Sequence, residues 1–241
     1  RAGESSVLVY PWFYPLQRLQ IPTGRRYQPG GVALASLLGD SMEYIGNREY
    51  QPGDRIRDID WRSWARLGEP IVREYQEEYF CRIALVLDTQ IDKKRKKEGY
   101  RNFEAGMSLA AGIADFLSRQ EYLIDLFAAG PQIYIMEAGR SLAHLDQILD
   151  VLACLEPCEE NPYALIEPVL MERIGMLTTV IVVLLDMDQA RMGFLQRLDE
   201  LDVGMKVIVC NSRIDEKSVN EWPKGLQVVS PESVKEGIAS L

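Results

Sequence analysis

From about Cys81 to its C-terminus, the sequence predicts a three-layer α/β sandwich on a mostly parallel sheet, preceded by a smaller β-rich segment. Three observations point there. β-branched apolar runs alternate with segments whose apolar residues recur at helical spacing, the pattern of βαβ units. The run TTVIVVLL at 178–185 is the most apolar in the chain and reads as a central strand covered on both faces. RIALVL at 82–87 and TTVIVVLL are each followed at once by an aspartate, Asp88 and Asp186, and an open parallel sheet carries its ligand sites beyond the carboxyl ends of its strands.

The elements follow in order. Up to Phe80 the chain is rich in Tyr, Trp, Arg, Pro and Gly. Residues 7–10 and 18–21 read as strands separated by a segment from Pro11 to Pro15, and Gln28-Pro29-Gly30-Gly31 is a turn signal. After the 82–87 strand, residues 102–119 place Phe103, Met107, Ala110, Ala111, Ala114 and Leu117 at helical spacing. Residues 122–128 form the next strand, and Gly130-Pro131 returns it into 132–136. So tight a turn permits only an antiparallel pair, because a parallel return needs a crossover. Residues 142–155 (with His144), 163–173 and 189–201 read as helices, 157–162 as a loop, and 205–210 and 226–229 as strands. The domain division is 1–80 and 81–241.

Composition excludes several classes. Apolar residues make up 47% and charged residues 26% of the 241 residues, ordinary for a globular chain. A net charge of −9 argues against a general nucleic-acid binder, which needs a basic surface. Cys81, Cys154, Cys158 and Cys210 have no His or second Cys pair at zinc-site spacing and read as unpaired thiols of a reducing compartment. No run reaches the roughly 18 apolar residues of a membrane span. The chain begins at Arg1 rather than Met, so it reads as a piece of a longer protein.

If the strands ending in Asp88 and Asp186 are neighbours where strand order reverses, both carboxylates face one crevice and suit a hard divalent cation such as magnesium. Equally, each could cap the helix or turn that follows it. Position alone leaves both readings open.

The stretch 41–75 is more specific. It contains Glu43, Tyr44, Arg48, Tyr50, Gly53, Asp54, Arg57, Ile59, Asp60, Trp61, Ala65, Arg66, Val72 and Arg73 in the order E-Y…R-x-Y-x-x-G-D-x-x-R-x-I-D-W…A-R…V-R. This pattern resembles the signature of the bacterial family called domain of unknown function 58, which precedes a von Willebrand factor A-like (Rossmann-type) domain. The residues also have a local physical reading. Pro52-Gly53-Asp54 makes a turn, Asp60 N-caps a short helix, Trp61, Trp64 and Ala65 share one face, and Gly68 ends it. Asp54, Asp58 and Asp60 interleave with Arg55, Arg57, Arg62 and Arg66, which builds an ion-pair clamp onto the sheet or an Arg- and Trp-anchored partner surface.

The resemblance implies a metal site of the form D-x-S-x-S, with a later Thr and a second Asp. Here the first element is Asp88-Thr89-Gln90-Ile91-Asp92, so Gln90 and Asp92 replace the serines. The loop expected to carry the Thr, near 159–163, offers Asn161 and Pro162 instead, while Asp186 fits the last position. The basic run Lys93-Lys94-Arg95-Lys96-Lys97 follows and opposes a nearby cation. The expected ligand set for magnesium or calcium, in a site that is degenerate, is therefore Asp88, Gln90, Asp92 and Asp186. The run itself reads as a solvated loop or a docking patch.

For function, the resemblance implies a non-enzymatic interaction or adaptor module. Its partner would be a MoxR-type AAA+ ATPase, and it would sit on the cytoplasmic face of a protein anchored by segments outside this chain. Arg57, Asp60, Trp61, Arg66, Lys93 and Lys94 are the expected partner contacts. The rival is a metal-dependent, phosphatase-like hydrolase using Asp88, since V-L-D-T-Q faintly resembles haloacid dehalogenase-type phosphatases. The second aspartate those enzymes need is Gln90 here. There is also no P-loop, G-x-S-x-G, Cys/His pair or glycine-rich phosphate cradle after Asp88.

Overall fold

The structure is a computed structural model that describes residues 8–22, 42–77, 81–129, 132–137, 142–201, 203–214 and 226–241. The turn signals at Gln28-Pro29-Gly30-Gly31 and at Gly130-Pro131 lie outside the described residues. Residues 42–77 form one compact unit and the other described residues a second.

The smaller unit is a hairpin carrying a helix. β1 (Met42–Glu49) runs antiparallel to the strand that ends the unit, and between them stands α1 (Trp61–Leu67). That closing strand is β2 (Ile71–Glu77). Tyr44 faces Tyr75 while Gly46 faces Glu74, so one residue of β1 is looped out in a bulge. The signature's residues shape what lies between the strands. Asp60 caps α1 by accepting from the backbone N–H groups of Arg62 and Ser63, and Gly68 ends it at φ 80°, a conformation open to glycine. The carboxylate of Asp54 receives both Nη atoms of Arg48 at 2.7 Å. Of the interleaved arginines, only Arg57 lies beside an expected aspartate, Asp58, among the described residues. Asp54 and Asp60 pair instead with Arg48 and Arg73 of the hairpin strands, so these ion pairs brace the smaller unit internally.

The Arg48 guanidinium, then the backbone N–H of Gln51, hold the Asp54 carboxyl down from 3.8 to about 2. A depressed carboxylate contributes stability that is complete above its ordinary value and is lost as pH falls through the folded one. Amide protection factors in β1 and β2, taken relative to the intrinsic exchange rate at each pH, are expected to fall as pH drops from about 4 towards 2. In Asp54→Asn they should be low already at neutral pH and lack that step.

The larger unit begins with β3 (Arg82–Leu87), followed by α2 (Lys96–Arg119), β4 (Leu123–Ala129) and β5 (Ile133–Met136). Then come α3 (Leu142–Cys154), α4 (Tyr163–Arg173), β6 (Thr179–Leu184) and α5 (Gln189–Asp199). β7 (Gly204–Cys210), β8 (Leu226–Val229) and α6 (Pro231–Glu236) complete it. The sheet order is β5-β4-β3-β6-β7-β8, parallel throughout except for β5 against β4. The fold is thus the mixed α/β three-layer sandwich expected, with the predicted antiparallel edge. α6 was not read from the sequence, although Ser230-Pro231 is a cap followed by proline at the first helical position.

Side-chain alternation divides the core. Ile83, Leu85, Leu87, Ile181 and Val183 pack under α2 and α3 on one face. Ala84, Val86, Val180, Val182 and Leu184 pack under α4 and α5 on the other. Because successive strand residues point to opposite faces, fully apolar strands fill both layers. Asp125 on β4 carries a charge into the sheet: it is fully buried and takes a two-point bond from Arg82, Nε to Oδ2 at 2.7 Å and Nη2 to Oδ1 at 3.0 Å.

Residues 8–22 correct an expectation. Residues 8–10 are not a strand, and Arg18 makes only an isolated bridge to Ser240. Pro11, Pro15 and Pro22 cannot donate to a ladder. The segment instead straps the larger unit: Leu16 and Leu19 enter its core, Gln20 N–H donates to Leu241, and Tyr10 hydroxyl donates to Asp150 at 2.7 Å. Gly112 on α2 admits it, since a Cβ there would stand 3.1 Å from the Tyr14 carbonyl oxygen.

Candidate functional site

β3 and β6 are the two central strands, and the order of the sheet reverses between them. Such a switch point opens a crevice beyond the strand ends. The Asp88 N–H donates to Val183 at 2.9 Å, carrying the ladder one residue past β3. The Asp88 side chain is then fully buried. Its Oδ1 accepts from the Gln90 N–H at 2.9 Å, and its Oδ2 from the Leu185 N–H at 3.0 Å and from Arg191 Nε at 2.7 Å.

Arg191 is the residue that sequence reasoning missed. It lies in the first turn of α5, where side chains lean back toward the helix start. Asp188 caps that helix by accepting from the Arg191 N–H at 2.9 Å, and its second oxygen takes Arg191 Nη1 at 2.6 Å. Arg191 Nη2 donates to the Gln90 carbonyl at 3.0 Å. The guanidinium, whose side chain is only 4% exposed, is thus ringed by two carboxylates and a carbonyl. Burial is the largest influence and works against its charge, but Asp88, Tyr163 and Asp188 together outweigh it and raise its pKa. The buried Tyr163 hydroxyl finds no aligned hydrogen bond among the described residues. Its ionisation is pushed well above the ordinary tyrosine range, first by burial and then by the Asp88 charge. The signal that could have found Arg191 was the spacing Asp188-x-x-Arg191 right after Asp186: a cap residue and a first-turn cation that can pair with it.

The expectation that Asp88 and Asp186 both face one crevice is therefore half met. Asp186 lines a cleft of about 480 Å³ with Gln90, Asp92, Lys93, Lys94 and Arg191, whereas Asp88 lies sealed beneath. Asp186 Oδ1 accepts from the Met187 N–H and from Asn211 Nδ2. Asp92 is exposed and caps a short 3-10 turn by accepting from the Lys94 N–H at 2.9 Å. The Gln90 amide oxygen is buried without a hydrogen-bond partner among the described residues.

The cleft has a second wall. Cys158 exchanges backbone bonds with Thr89 and Ile91, both at 2.8 Å, which seats the loop read as the Thr-bearing one. Asn161 on that loop caps α4 by accepting from the Tyr163 N–H, and Thr89 donates to the Ala129 carbonyl. Lys93 and Lys96 grip Glu159 at 3.0 and 2.8 Å, and Lys96 first, then Lys93, hold its carboxyl below the usual range. The basic run is therefore not a loop throughout: it forms the 3-10 turn Lys93–Arg95 and the first turn of α2. Positive charge is unfavourable at a helix N-terminus, and Glu159 compensates it.

These residues do not fit a divalent ion. Among the described residues, three acidic, thiol or imidazole groups nowhere converge as a ligand set. Asp88 is engaged by a guanidinium, and Lys93, Lys94 and Arg191 bring positive charge to the same cleft.

The other expected contacts fall on the smaller unit, away from this cleft in the chain. Trp61 is 60% exposed and stacks on Trp64 at 5.3 Å, Arg57 and Arg66 are exposed, and Asp60 is occupied as a cap. His144 is a core residue whose Nε2 meets the Ile124 carbonyl at 2.9 Å. All four cysteines are free thiols; burial pushes the Cys210 thiol up to about 12, whereas Cys154 is exposed.

The chain is similar to "Uncharacterized protein YeaD" of Bacillus subtilis (strain 168), 28% identical over 87 residues that make up 35% of this chain and 21% of that protein. It also matches, over residues 46–223, the profile of the family described as "Protein of unknown function DUF58". That match spans the smaller unit from the β1 bulge, the Asp88–Arg191 site and both walls of the cleft, and so the chain belongs to the DUF58 family.

Proposed function

We propose that the chain is a non-enzymatic interaction module whose adhesion-type metal site has degenerated, and that its cleft docks a protein partner. The observation that carries this reading is the state of Asp88. A carboxylate that accepts three N–H donors and is sealed from solvent under Arg191 is poorly placed for nucleophilic or acid–base work on a substrate. What remains open is a charged, two-walled cleft, with the 70%-exposed Lys93 side chain on its rim. The partner is a MoxR-type AAA+ ATPase, at the cytoplasmic face of a longer, membrane-anchored protein; among the described residues no helix is long and apolar enough to cross a membrane. The partner and the location rest on the resemblance. The alternative, a phosphatase-like hydrolase using Asp88, would require Arg191 to release that side chain.

The test is titration of the fluorescently labelled chain with the purified MoxR-type ATPase of the same organism. Saturable binding is expected, and Lys93→Glu with Lys94→Glu should weaken it about tenfold, with a shallower salt dependence. No binding, or binding indifferent to both reversals, contradicts the cleft as the docking site. Phosphomonoester hydrolysis abolished by Asp88→Asn would favour the alternative.

A further inference from the structure

The mismatch between this cleft and a metal ion has a specific form. The positive charge opposite Asp88 is not missing but is supplied by a side chain. Arg191 brings a full charge to 2.7 Å from Asp88 Oδ2 and 2.6 Å from Asp188 Oδ2, and its third donor meets the Gln90 carbonyl at 3.0 Å. Two carboxylates and a carbonyl are hard oxygen donors of the kind that surround calcium or magnesium. Here the same donors surround a guanidinium, and the helix that delivers it is capped by one of them.

We infer that Arg191 is a built-in cation: it holds the place and the charge of a divalent ion at the head of the sheet, so that the cleft is assembled without metal. Two consequences follow. The loop from Asp88 to Gln90 and the start of α5 are tied together by a group that no chelator removes. The oxygen ring is also a latent metal site, closed by the guanidinium and reopened by its loss. The inference concerns the ring beneath the cleft and holds whether the cleft docks a protein or not.

A covalently tethered guanidinium cannot be diluted away, unlike a metal with millimolar affinity, whose occupancy follows its concentration. Arg also suits the task better than Lys, because its planar fork serves three acceptors in different directions at once. The other acidic groups lining the cleft that could blur a metal response are Asp92, Glu159 and Asp186. Of these, Asp92 caps the 3-10 turn, Glu159 is held by Lys93 and Lys96, and Asp186 bonds Asn211 and its own neighbour.

The experiment is thermal unfolding of the 241-residue chain in EDTA, calcium chloride and manganese chloride. For the wild type, one midpoint in all three is expected. Arg191→Met keeps most of the aliphatic stem and deletes the charge. It should melt lower in EDTA and regain about 3–5 °C at a metal concentration tenfold above its Kd. Adding Asp88→Asn to that variant should remove the gain, and Arg191→Lys should show a smaller loss in EDTA and no metal response. A saturable wild-type shift that Asp88→Asn abolishes overturns the inference. So does a folded Arg191→Met protein that no metal stabilises. Should Arg191→Met fold only with metal present, that supports the inference. Should it fold under no condition, the wild-type titration with its Asp88→Asn control decides alone.

Discussion

Asp88→Ala is expected to cost about 3–5 kcal/mol of folding stability, the range for removing one partner of a buried ion pair. The reason is what stays behind. Arg191, at 3% residue exposure, would keep its charge with only Asp188 and a carbonyl around it. The N–H groups of Gln90 and Leu185 would lose their acceptor in the same step. Asp88→Asn keeps one oxygen for those donors while removing the charge, so it should cost less, about 1–3 kcal/mol. Urea denaturation of the three proteins measures both differences. Equal stability of wild type and Asp88→Ala would mean that the pair contributes nothing to the fold.

A loss of about 3–5 kcal/mol is also expected for Phe194→Ala, the usual cost of emptying a buried aromatic position. Phe194 is fully buried on α5, three residues after Arg191, and its ring centre lies 4.7 Å from that of Tyr163 on α4. Tyr163 in turn lies close enough to Asp88 and Arg191 to feel both charges. Truncation should therefore loosen the site as well as the core, and amide exchange at Gln90 and Leu185 should accelerate more than in β7. Phe194→Leu fills most of the volume and should recover most of the loss. A Phe194→Ala protein within about 1 kcal/mol of wild type would contradict the packing described.

The strands were legible because their chemistry is local. RIALVL and TTVIVVLL are apolar at every position, which suits a strand buried on both faces, and β8 and α4 fall where their sequence patterns end. The cap at Asp60 and the stop at Gly68 were legible for the same reason, since each acts within a few residues. Residues 8–22 misled because apolar residues between prolines look alike whether they pair in a sheet or strap across helices. Only the distant Ala239 and Leu241 decide the matter. Asp88 and Asp186 were legible as strand-end acids, but the neutralisation of Asp88 depends on Arg191, 103 residues away, and no local pattern carries that pairing. The start of α2 was placed late because a run of five basic residues looks like a solvated loop until Glu159 is brought beside it.

The central claim is that Asp88 is a structural anchor bound to Arg191. A double-mutant cycle on unfolding free energy, comparing wild type, Asp88→Asn, Arg191→Met and the double variant, tests it most directly. Contacting charged residues couple by about 0.5–3 kcal/mol, and this pair is expected in the upper half of that range, with the double variant more stable than the sum of single losses predicts. Additivity within about 0.5 kcal/mol would show that the two side chains act independently. Asp88 would then be free for another role, and the reading of the cleft as a docking surface over a sealed ion pair would fail.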